Sequence, residues 1–386
     1  MPGEFADCWP FETANVSRRD GADDPTSEVE LMRRNLTVLA AAVACLLTAC
    51  GGQSGGESAS DSITEVTDQA SLDNLVEAAK DEGQVVWYTS IPSERAEAIA
   101  DMFSAEYDIE VVVQRSGGED ILQKFLLEEE AGRVQNDVLT ITDPAAFIDL
   151  KKQDALTCFV PRNFDAVPAY AKDADGCWIA TRVNAYVIAY NTKEVSDPPT
   201  GFDDLLDSRF VGDVAYVNPS FSSGALIVTA GLAEDRGWDW FAKLAESDPF
   251  VVKGNSDTME TVVTGERGVA AFVNSTYVSE AKAEGQPVEW VFPDDGDYMI
   301  PAPSAVVAGA PNPAAGKLLA DFLLTDPVQQ LMVDDGNYAA VEGQPAPKDQ
   351  PRVQDMQRVE IDFENLVGSA GGDVLDQFNA TIESAN

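Results

Sequence analysis

Short runs of β-favouring residues alternate along the chain with stretches in which apolar residues recur at helical spacing. Gln84 to Tyr88 predicts a strand, and the helix that follows over Ser93 to Tyr107 has its apolar residues on one face. Asp143 and Pro144 open a later helix, because Asp is a favoured N-cap and Pro a favoured first helical residue. The other elements predicted in this half are strands over 109–113 and 137–141 and a helix over 119–130.

The second half repeats the order of strand and helix. Asn312 and Pro313 open a helix over 314–324, and the predicted strands cover 185–190, 213–217, 268–273 and 288–292. A repeated β–α order predicts an α/β fold whose mostly parallel sheet is covered on both faces.

Ligands of open α/β sheets bind outside the carboxyl ends of the strands. Several loops at these ends are rich in Ser and Gly and open a helix, where free N–H groups and the helix dipole favour anions. The alternative for each loop alone is an ordinary helix cap. The loops are Thr89-Ser90, Arg115-Ser116-Gly117-Gly118, Thr142-Asp143, Ser222-Ser223-Gly224, Asn255-Ser256 and Asn274 to Tyr277.

Charge and composition exclude several classes of function. The chain has 67 acidic and 25 basic side chains, a formal net charge of -42, and no histidine. Nucleic acid is excluded as a partner, because binding phosphates requires positive charge on the protein. Without histidine there is no Ser-His-Asp or Cys-His catalysis and no His-ligated zinc. Simple adhesion to anionic lipid is also disfavoured.

Residues 32–50 have the order of an export signal. Arg33 and Arg34 precede an apolar run over 36–49 that is too short to cross a bilayer comfortably. The run ends in Leu-Thr-Ala-Cys50, which resembles the lipobox of bacterial lipoproteins. We therefore expect an exported protein, in the periplasm or on the cell surface, that is anchored in the membrane through a lipid on Cys50. The alternative is a buried helix with an incidental cysteine.

The segments on either side of this signal fit the same interpretation. An export signal begins a chain, so residues 1–31 are interpreted as a misassigned upstream extension. Residues 51–70, which start with a Gly/Ser-rich stretch, predict a flexible tether. Apart from the expected lipid site Cys50, only Cys158 and Cys177 remain in the mature chain, and two cysteines of an exported protein usually pair. Two free buried thiols are the alternative.

The order of several motifs resembles the iron(III)-type solute-binding proteins of ABC transporters. These motifs are the lipobox, GQVVWYTS before a helix, YVIAYNT, NPSFSSG and NPAAGKLLADFLLTDPVQQ. The resemblance covers residues 84–380 and implies two α/β lobes with the ligand in the cleft between them, as in periplasmic binding proteins. One lobe is expected to hold 84–182 and 300–335, and the other 183–299 and 336–386. We expect a monomer that delivers its ligand to the transporter's permease.

Iron-binding members of this family hold Fe(III) with a histidine, an acidic residue and two adjacent tyrosines. In this sequence the resemblance places Ile91 or Pro92 at the histidine position, Asp143 at the acidic position, and Thr276 and Tyr277 at the tyrosine pair. Asp143 and Tyr277 would be the metal ligands. One phenolate is missing, so iron(III) is kept as an alternative transported ligand, and no cofactor is expected.

Related members of the group bind phosphonates, sugar phosphates, thiamine or polyamines. The Ser/Gly-rich loops favour a phosphonate- or phosphate-ester-like anion, which Arg115 or Arg182 would complement with a bidentate contact. A polyamine would instead need an acidic and aromatic box, for which the sequence offers Asp143, Asp295, Asp297 and either Trp178 or Tyr298.

One pattern raises an enzyme hypothesis. Ser279 and Lys282 have the Ser-x-x-Lys spacing of penicillin-recognising hydrolases, but the other motifs of that class are missing. The sequence therefore favours a solute-binding lipoprotein that is not an enzyme. The ligand-binding residues expected from it are Thr89, Ser90, Arg115, Ser116, Gly117, Asp143, Ser222, Ser223, Gly224, Asn274, Thr276 and Tyr277.

Overall fold

The structure, a computed structural model, describes residues 63–367 and 369–383. The predicted extension, the predicted signal with Cys50 as its expected lipidation site, and residues 51–62 of the predicted tether lie outside the described residues. No helix of the described ranges combines the length and the apolar character that crossing a bilayer requires.

The helices of the described residues follow the apolar periodicity of the sequence. α1 starts at a capping box, in which Asp68 accepts from the Ser71 backbone N–H and the Ser71 hydroxyl accepts from Asp68 N–H. The helices are α1 Gln69–Glu82, α2 Ser93–Tyr107, α3 Gly118–Glu130, α4 Pro144–Lys152, α5 Ser223–Arg236, α6 Trp238–Glu246, α7 Asn255–Thr264, α8 Ser275–Ala283, α9 Pro313–Phe322, α10 Asp326–Asp334 and α11 Ser369–Glu383.

The strands of the described residues form one mixed sheet. They are β1 Gln84–Thr89, β2 Glu110–Arg115, β3 Val138–Thr140, β4 Leu156–Thr157, β5 Ile179–Asn191, β6 Val214–Val217, β7 Phe250–Val252, β8 Val269–Asn274, β9 Val288–Val291, β10 Tyr298–Val307 and β11 Tyr338–Ala339. The main path of the sheet runs β2-β1-β3-β10-β5-β8-β6-β7.

The prediction of a mostly parallel sheet is correct only for the outer strands. β1 pairs in parallel with β2 and β3, and β6 pairs in parallel with β7 and β8. The central strands β5 and β10 are antiparallel to each other and to their neighbours. The alternation of strands and helices predicts only the outer, parallel strands, because a helix connects each of those strands to a parallel neighbour.

Two sets of apolar side chains form the cores of two lobes. In the first lobe α1, α2 and α9 pack against β1, with Trp87, Phe103 and Phe322 at the centre. In the second lobe Tyr216 and Phe272 pack edge to face, 4.4 Å between ring centroids. β5 and β10 pass through both lobes. Their register shifts at a bulge beside Ala302.

Two expected boundaries differ from the structure. The predicted tether ends too late, because Val66 is buried and Lys317 Nζ donates to the Ile63 carbonyl at 2.8 Å. The C-terminal segment 336–386 does not belong wholly to the second lobe. β11 pairs with β5, and Val341 packs in a cluster with Leu324, whereas α11 packs against α5 and α6.

The predicted disulfide between Cys158 and Cys177 is confirmed. It closes a segment of the first lobe in which Cys177 lies in the apolar cluster around Phe125 and Phe147.

Candidate functional site

A cleft of about 870 Å3 lies where the strands of both lobes end. This volume is within the range of sites that enclose small organic molecules. The Ser/Gly-rich loops of both lobes contribute to the lining, as the sequence predicts. The predicted residues that line the cleft are Ser90, Arg115, Gly117, Ser222, Ser223, Gly224, Asn274, Thr276 and Tyr277.

Three of the predicted ligand-binding residues do not line the cleft. The Thr89 hydroxyl is buried and accepts from the Ile91 N–H at 3.1 Å. The Ser116 hydroxyl donates to Asp120 Oδ2 at 3.2 Å. Asp143 caps α4 by accepting from the Ala146 N–H at 3.0 Å. Their polar groups are occupied by local hydrogen bonds, which is the ordinary role of such residues beside helix termini.

A row of polar side chains on β5 forms part of the cleft. Arg182, Asn184 and Tyr186 alternate with apolar residues, are all buried, and line the cavity. Alternate residues of a strand lie on one face. In the sequence, the polar residues at every second position of an otherwise apolar strand therefore indicated that one face of this strand lines the cleft. Of the three, only Arg182 was predicted from the sequence, as an alternative to Arg115.

Arg182 is a buried cation with no carboxylate at ion-pair distance among the described residues, although Asp335 of the same cleft interacts with its charge. Its residue exposure is 6%, and one guanidinium nitrogen, Nη2, lies 3.4 Å from Thr142 Oγ1. The other, Nη1, has no hydrogen-bond acceptor within the described residues, and no carboxylate there forms an ion pair with Arg182. Burial lowers the pKa of Arg182 to about 10, so the side chain stays charged at neutral pH.

Asn184, two residues along the same strand, also has a buried polar atom without a hydrogen-bond partner. Its amide Nδ2 donates to Thr142 Oγ1 at 3.0 Å, while its Oδ1 has no donor among the described residues. Buried polar atoms without partners are uncommon and each needs an explanation. An acceptor bound in the cleft would satisfy Arg182 Nη1, and a donor such as a water or a ligand N–H would satisfy Asn184 Oδ1.

Tyr186 lies against the first turn of α5. Burial raises the pKa of its phenol above the usual range, and a hydrogen bond with the Ser222 side chain opposes that rise. Gly224 makes the approach possible, because a Cβ at that position would lie 1.7 Å from the tyrosine oxygen. The first N–H groups of a helix have no intrahelical acceptors, so a neutral phenol donor and the α5 terminus meet at one place in the cleft.

Other charged residues surround this centre. Arg115 and Lys253 line the cleft and form no ion pair within the described residues, whereas Arg95 pairs with Asp335 at 2.6 Å. The acidic residues of the lining are Glu94, Glu119, Asp257, Glu280, Asp334 and Asp335. The cleft therefore offers both signs of charge, with its most buried charge positive.

The carboxyl of Asp143, in the first lobe, interacts with the side chain of Ser223, in the second. Burial raises the pKa of its carboxyl to about 6, and Glu119 raises it further, while the backbone N–H of Ala146 and a hydrogen bond with Ser223 oppose the shift. Ser223 belongs to the second lobe and Asp143 to the first. The protonation of this carboxyl therefore affects the place where the lobes meet.

The predicted polyamine box is wrong. Asp295 accepts from the Phe202 N–H and pairs with Arg236, and Asp297 accepts from the Gln357 N–H. Neither residue lines the cleft, and neither do Trp178 and Tyr298, which are buried in apolar clusters. Both carboxylates are thus engaged by groups of the protein itself, Asp295 by a guanidinium and Asp297 by a backbone N–H.

The Ser-x-x-Lys pair also lacks the arrangement of a hydrolase. Ser279 lines the cleft, and its hydroxyl accepts from Gln350 Nε2 at 3.3 Å. Lys282 is ion-paired with Glu289 and lies 3.7 Å from the centroid of the Trp290 ring. Lys282 is thus engaged by Glu289 and Trp290, and no hydrogen bond joins it to Ser279 within the described residues, as a nucleophile and its base would require.

The residues expected to hold iron are only partly assembled. Tyr277 and Pro92 line the cleft, whereas Asp143 does not and Ile91 is buried. Tyr186 supplies a second phenol, but its raised pKa disfavours the phenolate that iron would need. Within residues 63–367 and 369–383 there is no group of three or more His, Cys, Asp or Glu placed to hold a metal ion.

Residues 136–364 match the family described as bacterial extracellular solute-binding protein. Among similar sequences is the putative 2-aminoethylphosphonate-binding periplasmic protein of Salmonella typhimurium, 25% identical over 240 residues, which are 59% of this chain and 68% of that protein. The protein of the same name from Salmonella paratyphi A is 26% identical over 241 residues, again 59% and 68% of the two chains.

Solved structures show the same fold. Iron-bound HitA from Pseudomonas aeruginosa superposes with a TM-score of 0.68 at 19% identity, covering 77% of this chain and 99% of its own. AfuA from Actinobacillus pleuropneumoniae, solved with fructose-6-phosphate, gives 0.70 at 19% identity, covering 78% and 99%. At this identity the likeness concerns the two-lobed fold alone.

Proposed function

The chain belongs to the family of bacterial extracellular solute-binding proteins, and from that premise we propose that its cleft captures a phosphonate- or phosphate-ester-like anion for an ABC importer. The observation that carries the proposal is Arg182, a buried guanidinium with a free nitrogen at the cleft. In a chain with 67 acidic and 25 basic side chains, a buried cation that forms no ion pair within the described residues is well placed to bind an anion from outside the protein.

The groups around Arg182 match a tetrahedral oxyanion. Its free guanidinium nitrogen would donate to one oxygen, with the Tyr186 phenol and the first N–H groups of α5 beside it. Lys253 and Arg115 add positive charge at the rim, as a group of up to two negative charges requires. The names of the Salmonella relatives support a phosphonate, and the acidic residues of the lining would tolerate an amine on the same ligand.

The positions of these donors on both lobes support a role in transport, because one ligand could contact both lobes. Arg115 and Gly117 belong to the first lobe, the α5 terminus belongs to the second, and Arg182 lies on a strand shared by both. A ligand that contacts both lobes favours the closed form, because it binds that form more tightly than the open one. The closed lobes would present their joint surface to a permease, and a lipid on Cys50 would keep the protein at the membrane.

This proposal assigns the cleft to binding without chemical conversion. The residues with spacing for catalysis are engaged elsewhere, since Lys282 is paired with Glu289. Iron(III) is the second candidate, because the cleft is lined by two tyrosines, Tyr186 and Tyr277, although the raised pKa of Tyr186 counts against it. Iron would leave the guanidinium of Arg182 facing another cation, so the anion is favoured.

Isothermal titration calorimetry with a ligand panel tests the proposal. The purified protein is titrated with 2-aminoethylphosphonate, inorganic phosphate, Fe(III) citrate and the polyamine putrescine. We expect heat of binding from the phosphonate and none from putrescine. Binding of Fe(III) with a phenolate-to-iron colour that disappears in Tyr277→Phe, and no response to the phosphonate, would support iron instead.

A further inference from the structure

Phe221 is an exposed aromatic side chain in the wall of the cleft. It is 56% exposed, and the other large apolar side chains exposed within residues 63–367 and 369–383 are Leu127, Val211, Phe250 and Val353. None of those four lines the cleft, whereas Phe221 does. An exposed aromatic ring inside a binding site is a different case from scattered surface residues, which need no explanation.

The backbone holds this residue beside the proposed anion subsite. Phe221 ends a short 3-10 helix over Pro219–Phe221, and its N–H donates to the Asn218 carbonyl at 3.1 Å. The Asn218 side chain accepts from the Ser220 N–H at 2.9 Å, and the Asn218 backbone N–H donates to the Val252 carbonyl at 2.7 Å. The next residue is Ser222, the N-cap of α5.

A cation lies over the same ring. Lys253 Nζ is 5.3 Å from the centroid of the Phe221 ring, also lines the cleft, and forms no ion pair within the described residues. A cation over one part of the ring can attract the anionic group of a ligand. The rest of the ring remains free to contact apolar atoms of the same ligand. Ring, cation and helix terminus therefore occur together on the second lobe.

We infer that Phe221 determines specificity by contacting the organic substituent of the anion. This inference rests on the proposed function, and it narrows the preferred ligands to anions that carry a carbon substituent, with inorganic phosphate binding more weakly. The volume of about 870 Å3 supports it, because a bare tetrahedral anion would leave most of the cleft unfilled. Arg182 would hold the anionic group, and Phe221 would distinguish what is attached to it.

A substituent series tests the inference by calorimetry. The probes are inorganic phosphate, methylphosphonate, 2-aminoethylphosphonate and phenylphosphonate, each titrated into the unmodified protein, Phe221→Ala and Phe221→Leu. In the unmodified protein we expect affinity to rise with the apolar area of the substituent. Phe221→Ala should weaken phenylphosphonate about tenfold and leave phosphate within about twofold. Phe221→Leu should keep part of the increase in affinity that the apolar substituent gives.

Val211→Ala is the matched control, because it removes an apolar side chain of equal exposure, 57%, outside the cleft. Equal weakening of all probes in Phe221→Ala would overturn the inference, since the ring would then support α5 and not the substituent. Unchanged affinities would overturn it too. If no anion binds the unmodified protein, the proposed function itself fails, and the inference with it.

Discussion

Two arginines of this acidic protein lie in opposite environments. Arg236, in the second lobe, pairs with Asp203, Asp235 and Asp295 at 3.1, 2.5 and 2.8 Å. Arg182, at the cleft, is more buried as a residue and forms no such pair in the part of the chain that the structure describes. With so many carboxylates available, neutralisation by the protein is the ordinary outcome. A buried arginine that escapes it indicates where a ligand supplies the charge.

The largest expected effect is on Arg182. Arg182→Gln should weaken phosphonate binding by about 100-fold or more, because truncating one partner of a buried charge pair leaves the other unpaired. The free protein should unfold at the same or a higher urea concentration, since removing an unpaired buried charge relieves a desolvation cost. Calorimetry and urea unfolding measure the two effects. Unchanged affinity in this variant would contradict the anion site.

Gly224→Ala should have the next largest effect. The added methyl group would overlap the Tyr186 hydroxyl, so the phenol must leave the α5 terminus. We expect about tenfold weaker binding and a loss of roughly 1–3 kcal/mol in the free energy of unfolding. Gly254→Ala is the control, because Gly254 also lines the cleft but has open space where the Cβ would be placed. Similar results for both variants would argue against the contact.

Arg236→Gln should show the opposite behaviour from Arg182→Gln. Losing hydrogen bonds to Asp203 and Asp295 should reduce the free energy of unfolding by roughly 1–3 kcal/mol. Affinity for the phosphonate should stay within about twofold, since Arg236 does not line the cleft. A large loss of affinity would show that the two arginines are not distinct in role.

The smallest expected effect concerns pH. The pKa of Asp143 is raised to about 6 from 3.8, so the folded protein binds its proton more tightly than the unfolded chain. This carboxyl therefore stabilises the fold below pH 3.8, and the contribution is lost as the pH rises through about 6. An anion beside Ser223 should raise this pKa further, which couples ligand binding to proton uptake.

Asp143→Asn separates that contribution from titration of the ligand. The amide can still accept from the Ala146 N–H, so the α4 cap is retained. The ratio of unmodified to variant affinity for the same phosphonate should rise several-fold between pH 7.5 and 5.5. A constant ratio would mean that the Asp143 carboxyl does not sense the ligand.

The sequence predicts the local elements of this fold well, and its central strands poorly. α2 has the predicted bounds, because its apolar spacing and flanking strands agree. β10 was missed as a strand, since Pro301 and Pro303 lack the N–H that ladders use. These prolines occur beside the bulge at Ala302, where the two lobes share the sheet.

The residues of the cleft were likewise predicted only in part from the sequence. Loops such as Ser222-Ser223-Gly224 were found, because strand ends and helix starts are readable locally. Asn184 and Tyr186 were missed, since their importance depends on Thr142 and Gly224, which approach from distant parts of the chain. The isolation of Arg182 is likewise a property of the folded protein alone, because composition indicates only that carboxylates are abundant.

We propose that the cleft holds an organic phosphorus anion on Arg182. Mass spectrometry of the small molecules released from natively purified protein tests it most directly, with Arg182→Gln purified in parallel. We expect an organophosphorus anion at near-stoichiometric amount from the unmodified protein and its loss from the variant. A released polyamine or ferric ion, or the same anion at equal amount from both proteins, would contradict the account.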